Sequence, residues 1–190
     1  MKTFKEFLNE SLFPSEISAV LYWQEGNNGW GYSDIRAIGN GHNPPQYNKL
    51  KDCELTDKAR LALRTLKEIT QNFEKALSKL PSVKGQKLTR FTSDYIVPEI
   101  GTKIVIPKYS SYTFNPTLES FRKFGSDNAI VYELIANNKF KNISNVTSSV
   151  KNSEFEAVNT DTINAEVVNV ENKVLDNENN HKVKVVTLKI

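Results

Sequence analysis

The apolar positions between residues 56 and 81 predict the clearest helix of the chain. Successive apolar residues are three or four positions apart, the spacing that lines one face of an α-helix. They are Leu66, Ile69, Phe73, Leu77 and Leu80. Thr56 stands before this run and is typical of an N-cap residue, and Pro81 ends it because proline lacks the N–H that a helix interior needs.

Two shorter helices are predicted before this one. Pro14 opens an amphipathic segment over Ile17–Trp23, which ends at the turn-forming letters E-G-N-N-G, and a second segment covers Tyr32–Ile38. The letters G-W-G and G-N-G flank the second segment. Neither pair completes G-x-G-x-x-G or follows a strand, so both predict turns and not a phosphate-binding loop. The polar residues 43–52 predict a loop.

After Pro81 the spacing of apolar residues changes from helical to alternating. Short segments rich in β-branched and aromatic residues are separated by Asn, Gly, Ser and Pro. The predicted strands are Gln86–Thr92, Thr102–Ile106, Lys108–Phe114, Asn128–Ala136, Glu154–Asn159, Glu166–Val170 and Lys182–Ile190. One helix, Pro116–Phe124, interrupts them. Helices followed by many irregularly spaced strands predict an α+β domain, not a parallel βαβ array.

The composition fits one well-buried domain in a chain of 190 residues with 38% hydrophobic residues. A single cysteine, Cys53, excludes an intramolecular disulfide and suits a reducing compartment. His42 and His181 are far apart in sequence, so we expect no bound metal.

The net charge of +3 comes from lysines and arginines spread along the chain. Nucleic-acid binding proteins concentrate such charges in a stripe, so we expect no direct nucleic-acid binding. No apolar run approaches the roughly 18 residues of a membrane span. The N-terminal letters M-K-T-F-K-E-F-L-N-E contain no apolar signal-peptide core, so we expect neither membrane binding nor secretion through a signal peptide.

Two carboxylates stand one residue apart in N-S-E-F-E-A-V. If this segment is extended, Glu154 and Glu156 point to the same face and Phe155 points to the other, where it is expected to be buried. The two charges then repel each other, which folding alone does not explain. The alternative interpretation is a solvated edge strand, and it holds unless other residues supply partners.

Two further segments supply partners for these carboxylates. Arg90 lies within a predicted strand, and an arginine fork suits phosphate because it donates to two oxygens at once. The strand Y-S-S-Y-T-F-N-P carries hydroxyls at Ser110, Ser111 and Thr113. These hydroxyl residues are also common β-formers and helix-entry residues, which is the alternative interpretation. A polar connection, Lys139–Ser153, then leads to E-F-E.

This order resembles the R-S-E pattern of mono-ADP-ribosyltransferases, in the cholera-toxin-like branch that modifies arginine. Arg90, the segment from Ser111 to Pro116, and E-F-E match its three parts. The resemblance extends over roughly residues 15 to 190. It also includes A-I-V-Y-E-L, N-I-S and the N-terminal segment Tyr22–Ile38. Tyr112 and Arg36 depart from the pattern: the first replaces a small hydroxyl residue, and the second replaces an asparagine that contacts the nucleotide in related toxins.

The resemblance implies an ADP-ribosyltransferase-like fold. In that fold N-terminal helices pack on two bent antiparallel β-sheets, and NAD⁺ binds as substrate in the cleft between them. Breaking the nicotinamide–ribose bond develops oxocarbenium character, which a nearby carboxylate stabilises. The resemblance gives that role to Glu156, with Ser111 orienting it. Glu154 would bind the incoming guanidinium, and Arg90 would hold the diphosphate or ribose.

Four more residues are implied on the cofactor side. The backbone of Phe91 would bind the carboxamide, and Phe121 would stack near the nicotinamide. Thr113 and Tyr32 complete the expected contacts. The implied activity is ADP-ribosylation of arginine on host proteins. Two alternatives stay open: an NAD⁺ glycohydrolase that uses water as the acceptor, and a non-enzymatic packaged internal head protein.

Residues 1–10 resemble the capsid-targeting peptides of internal head proteins in T-even-like tailed phages. Those peptides end in a Leu-x-Glu site for the prohead protease, and Leu8-Asn9-Glu10 fits it. The alternative is a frayed amphipathic turn. The resemblance implies a propeptide at 1–10, a single catalytic domain at 11–190, and packaging in the phage head before entry into the host cytoplasm. It also makes host RNA polymerase a candidate target.

Overall fold

The computed structural model describes residues 11–29, 31–47, 55–92, 96–114, 116, 129–144, 146, 155–176 and 181–190. The chain divides into two compact units. The first comprises Met1–Pro81 with Asn145–Ser149 and holds the helices, and the second comprises Ser82–Ser144 with Val150–Ile190 and holds the strands. Residues 1–10, Phe121, Glu154 and nearly all of the predicted helix Pro116–Phe124 lie outside the described residues.

Three helices are described in the helical unit: α1 (Pro14–Gly29), α2 (Gly31–Gly39) and α3 (Asp57–Lys79). Apolar side chains from all three are buried. Trp23 of α1 stacks on Phe73 of α3 with ring centroids 4.9 Å apart, a geometry that adds about 0.5–1.5 kcal/mol to the burial of the rings. The helical spacing that predicted α3 is confirmed, because Leu66, Phe73, Leu77 and Leu80 are buried and Ile69 is half-buried.

The ends of α3 agree with the prediction. The Thr56 side chain accepts a hydrogen bond from Ala59 N, and the N–H of Leu80 closes the helix directly before Pro81. The predicted end of α1 is wrong, because the helix continues through E-G-N-N-G to Gly29. Glycine and asparagine each cost a helix less than about 1 kcal/mol relative to alanine, and packing of α1 against α3 offsets that cost.

A buried ion pair joins the first turn of α1 to the last turn of α3. The Glu16 side chain is 2% exposed and accepts from Lys79 Nζ at 2.7 and 2.8 Å. The backbone N–H of Phe13 donates to the same carboxylate at 2.7 Å. Two donor groups, the Lys79 ammonium and the Phe13 N–H, thus make three contacts that compensate the desolvation of this charge, as a buried carboxylate requires.

A second polar contact joins α1, α2 and the segment after α2. Asp34 is buried and accepts from Tyr22 Oη at 2.9 Å and from Gln46 Nε2 at 3.2 Å. Burial, followed by the hydrogen bond to Asp34 and its negative charge, raises the pKa of Tyr22 well above its ordinary value of 10.0.

Eight strands form a single described sheet. They are β1 (Lys87–Thr92), β2 (Lys103–Ile106), β3 (Ser111–Thr113), β4 (Ile130–Ile135), β5 (Phe140–Asn142), β6 (Glu156–Asn159), β7 (Ile163–Asp176) and β8 (His181–Lys189). Their order is β2-β7-β8-β4-β1-β3-β6-β5. All neighbours are antiparallel except β4 and β8, which are parallel.

The α+β class is confirmed. The described strands form one continuous sheet and not the two predicted sheets. Strands β3, β6 and β5 join the other five through the β1–β3 pairing, with Thr89 opposite Thr113. A main core cluster lies on the sheet and includes Leu88, Ile130, Leu134, Val186 and Leu188. A smaller cluster of Val131, Val183 and Val185 packs with Phe91. Alternation along β1 and β4 places the two clusters on opposite faces.

Some strands differ from their predictions, most clearly β3, β7 and β5. β3 covers less than Lys108–Phe114, because Tyr109 has a positive φ of 60° and therefore lies in a turn. β7 is longer than Glu166–Val170, since its pairing with β8 continues to Asp176. β5 was not predicted at all, because three residues carry too little alternation to be recognised.

Within the described ranges, no helix is long and apolar enough to cross a membrane. The same residues contain no group of three or more His, Cys, Asp or Glu side chains arranged to bind a metal ion.

Replacing Tyr22 with phenylalanine tests the Asp34 contact. Tyr22→Phe removes one donor from a buried carboxylate, so we expect the free energy of unfolding at pH 7 to fall by about 1.5–3 kcal/mol. The pKa of Tyr22 is higher in the folded state than in the unfolded state. Its contribution to stability is therefore complete below about pH 10 and decreases as the pH rises toward the folded-state value.

The measurement is urea unfolding at pH 7 and at several pH values above about 10. The wild-type protein should lose stability with rising pH more steeply than Tyr22→Phe does. Parallel curves of unfolding free energy against pH would show that folding does not raise the pKa of Tyr22, and they would contradict the contact with Asp34.

Candidate active site

Three adjacent strands of the sheet position the candidate site. β1, β3 and β6 are neighbours in that order, although about twenty residues separate Arg90 from Ser111 and more than forty separate Ser111 from Glu156. Thr113 lies directly opposite Glu156 and, on its other side, opposite Thr89. Directly opposite residues of antiparallel strands share a face of the sheet. The sheet therefore assembles residues from three distant parts of the sequence.

The closest side-chain contact of the site joins Ser111 and Glu156. Ser111 Oγ donates a hydrogen bond to Glu156 Oε1 at 2.6 Å. This length is typical of a charge-assisted O–H···O⁻ bond, which is about twice as strong as a neutral one. The contact holds the Glu156 carboxylate. The resemblance implied an orienting role for Ser111, and that role in catalysis stays a prediction.

The backbone of Glu156 is also held by hydrogen bonds. Its carbonyl accepts from the N–H of Ile143 at 3.0 Å and from Ser144 Oγ at 3.3 Å. The Asn142 side chain in turn accepts from the N–H of Ser144 at 2.9 Å. The N-I-S letters that resembled a family turn therefore support Glu156. The sequence alone did not identify Ser144 as a supporting residue. Its burial, at 2% exposure, distinguishes it from other serines, and burial is visible only in the structure.

Arg90 reaches the site through the main chain of β3. Its Nη1 donates to the carbonyl oxygen of Ser111 at 3.4 Å. Its guanidinium carbon lies 5.8 Å from the centroid of the Tyr112 ring, within cation–π range. Tyr112, which with Arg36 departs from the R-S-E pattern, is buried and packs edge-on against Phe140. The Tyr112 ring thus packs in the core and also lies against the Arg90 guanidinium.

The other predicted cofactor residues have different surroundings. Thr113 is half-buried opposite Glu156, and Phe91 packs with Val131 in the smaller apolar cluster. Tyr32 lies in the helical unit, where its ring is 45% exposed and Arg36 lies 5.5 Å from its centroid. The structure therefore places Ser111, Thr113 and Glu156 on one face of the sheet, and Arg90 on the neighbouring strand contacts the main chain of Ser111. Glu154 and Phe121 lie outside the described residues.

Phe155 corrects the prediction of an extended E-F-E. Its φ is 44°, so the backbone at this residue is left-handed, and β6 begins only at Glu156. Its side chain is 38% exposed rather than buried, and it packs edge-on against Phe114 at 5.6 Å. Regular alternation does not pass through a left-handed residue. The premise that the backbone is extended at Phe155 is therefore wrong, and the position of Glu154 relative to Glu156 stays a prediction because Glu154 lies outside the described residues.

The fold has counterparts among solved structures. The Vis toxin, an ADP-ribosyltransferase from Vibrio splendidus, is 18% identical, with a TM-score of 0.62 over 98% of this chain and 82% of that chain. Plx2a, an ADP-ribosyltransferase toxin from Paenibacillus larvae, is 11% identical, with a TM-score of 0.59 over 96% and 88%. The Salmonella SpvB ATR domain is 13% identical, with a TM-score of 0.57 over 94% and 100%.

The chain has an ADP-ribosyltransferase fold. No protein-family model matches the sequence, and no curated protein matches it significantly. At 11–18% identity these likenesses establish the ADP-ribosyltransferase fold and leave the roles of individual residues as predictions.

Two substitutions at Phe155 test the left-handed backbone before Glu156. Phe155→Gly and Phe155→Ala both remove the ring contact with Phe114, so that loss cancels between them. At a positive φ, a residue with a Cβ costs about 1–2 kcal/mol, whereas glycine does not. We expect Phe155→Gly to be more stable than Phe155→Ala by about 1 kcal/mol in urea unfolding. An extended residue would give the opposite order, with glycine about 0.5–1 kcal/mol less stable.

Proposed function

We propose that this protein transfers ADP-ribose from NAD⁺ to arginine side chains. The observation that carries the proposal is the 2.6 Å hydrogen bond from Ser111 on β3 to Glu156 on β6, within an ADP-ribosyltransferase fold. The other neighbour of β3 is β1, which holds Arg90. An orienting hydroxyl, a carboxylate and an arginine are the groups that this chemistry requires. Fold alone would not support the activity, since one fold hosts many functions.

The proposed reaction breaks the bond between C1′ of the ribose and the nicotinamide nitrogen. Nicotinamide leaves with the bonding electrons, and the sugar acquires oxocarbenium character. Glu156 would bind a ribose hydroxyl and stabilise the positive charge, with its carboxylate already oriented by Ser111. A guanidinium nitrogen then forms the new bond to C1′ and loses a proton. Arg90 would hold the diphosphate, keeping the dinucleotide in a compact pose.

The acceptor assignment rests on Glu154, which lies outside the described residues. A carboxylate near the incoming guanidinium would align it and favour loss of its proton. The Vis toxin has been crystallised in complex with agmatine, a small guanidino compound. Agmatine is therefore a suitable acceptor with which to test the arginine specificity proposed for this chain.

One incubation separates the proposal from its two rivals. The protein is mixed with NAD⁺ labelled in the ADP-ribose part and with agmatine. Labelled agmatine supports the transferase. Free ADP-ribose without labelled agmatine supports an NAD⁺ glycohydrolase, and intact NAD⁺ supports a packaged head protein without catalytic activity.

Neutralising each glutamate separately tests the proposed division of roles. Glu156→Gln keeps the shape of the side chain and removes the charge that faces the oxocarbenium. We expect it to lower both nicotinamide release and agmatine labelling by on the order of 10²–10³. Glu154→Gln should abolish agmatine labelling but retain slow NAD⁺ hydrolysis. In hydrolysis water is the acceptor, so no carboxylate is needed to align a guanidinium.

Both products are measured on each folded variant, and Glu166→Gln serves as a matched control. Glu166 lies on β7 opposite Lys103, so its neutralisation should leave both reactions unchanged. A folded Glu156→Gln variant that keeps most of its activity would remove Glu156 from the catalytic role. Equal losses of both reactions in Glu154→Gln would contradict separate roles for the two glutamates.

We further propose that residues 1–10 are a packaging peptide that directs the protein into a phage head, from which it enters the host cytoplasm. The proposal rests on the resemblance of Leu8-Asn9-Glu10 to a prohead protease site. Protein isolated from virions should then begin at Ser11, and a chain lacking residues 1–10 should remain active. Mass spectrometry that finds Met1 on the mature protein would contradict packaging by this route.

A further inference from the structure

A buried asparagine holds the turn that leads into Ser111. Asn159 is fully buried at the end of β6, and its Oδ1 accepts from the N–H of Ser110 at 2.5 Å. Its Nδ2 donates to the carbonyls of Pro107 at 2.9 Å and Asp161 at 2.7 Å. The main chain of Asn159 also accepts from the N–H of Tyr109 at 3.0 Å. Both the side chain and the backbone of one residue are therefore bonded to this turn.

The turn requires such support. Tyr109 has a φ of 60°, which is rare for a residue other than glycine, and such a conformation persists only where its surroundings hold it. The Tyr109 side chain is fully buried. Ser110 Oγ donates to the carbonyl of Pro107 at 2.8 Å, which closes the turn internally. The Asn159 side chain then attaches the closed turn to β6.

The turn determines where Ser111 lies. Ser111 follows Ser110 directly and begins β3, a strand of only three residues. Glu156, which Ser111 contacts, stands three positions before Asn159 on β6. The contacts therefore form a closed path from Asn159 to Ser110, along the chain to Ser111, across to Glu156, and back along β6. A shift of the turn would move the Ser111 hydroxyl relative to the carboxylate.

Asn159 itself does not lie beside the reacting carboxylate. Residues three apart in a strand point to opposite faces, so Asn159 and Glu156 project from opposite sides of β6. The Asn159 side chain is also inaccessible to a substrate, because it is 0% exposed. Any influence on the reaction must therefore pass through the turn and Ser111.

We propose that Asn159 is a positioning residue for Glu156, acting through the Pro107–Ser110 turn and the Ser111 hydroxyl. This inference rests on the proposed function of the site. A displacement of about 1 Å at a catalytic group can cost on the order of 10²-fold in rate. We expect Asn159→Ala to lower kcat for nicotinamide release about 10- to 100-fold and to change the KM for NAD⁺ less than about twofold, because no NAD⁺ contact is removed.

A double-mutant cycle with Ser111→Ala tests the path. If Asn159 acts through Ser111, Asn159→Ala should have little further effect on kcat once the Ser111 hydroxyl is absent, because coupled residues are not additive. A purely structural residue would lower kcat by the same factor in both backgrounds, and that result would overturn the proposal. Asp161→Asn is the matched control: it removes an exposed ion pair with Lys139 and keeps the backbone carbonyl that Asn159 contacts. It should leave kcat unchanged.

Asn159→Asp provides a second variant if Asn159→Ala does not fold. It keeps the side-chain shape and the acceptor for Ser110 but loses the two donors. Its crystal structure should show the Ser111 Oγ–Glu156 Oε1 distance beyond hydrogen-bonding range, and retention of the 2.6 Å contact would overturn the proposal. This distance tests the positioning role independently of activity. If the wild-type protein releases no nicotinamide, only the proposed function is rejected.

Discussion

The hydrogen bond from Ser111 to Glu156 joins two short strands, of three and four residues, on which the candidate active site depends. Strands this short contribute few ladder hydrogen bonds, so side chains and turns must hold them in register. Ser144, two residues after the end of β5, holds the main chain of Glu156, and the Pro107–Ser110 turn holds the start of β3. A carboxylate held at several points pays little reorganisation energy when charge develops beside it, which is how preorganised sites accelerate reactions.

The continuous sheet explains how distant segments supply one site. β1, β3 and β6 become neighbours only because β1 pairs with β3 at Thr89 and Thr113. The main apolar cluster covers one face of this sheet and includes Tyr112 and Ala157, each adjacent in sequence to a site residue. Burial of these two side chains fixes the strand orientations that present Ser111 and Glu156 on the other face. Core packing and site geometry are therefore consequences of the same alternation.

Local patterns in the sequence predicted the helices and most strands, because periodicity and capping act over a few residues. Examples are the N-cap Thr56, the spacing of apolar residues along α3, and the turn at Gly39–Gly41. Non-local features escaped prediction: β5 exists through pairing with β6, and the length of β7 depends on β8. The left-handed backbone at Phe155 gave no signal, since neither glycine nor asparagine marks it. Asn159 looked like an ordinary strand end, and only its burial and hydrogen bonds distinguish it.

The most direct test of the account is a crystal structure of the Glu156→Gln variant with NAD⁺ bound. The account predicts that the nicotinamide ribose lies against residue 156, with a ribose hydroxyl within hydrogen-bonding distance of the side chain, and that the diphosphate lies near Arg90. NAD⁺ bound elsewhere on the protein, or with its adenosine end at residue 156, would contradict the assignment of Ser111 and Glu156 to the reacting sugar.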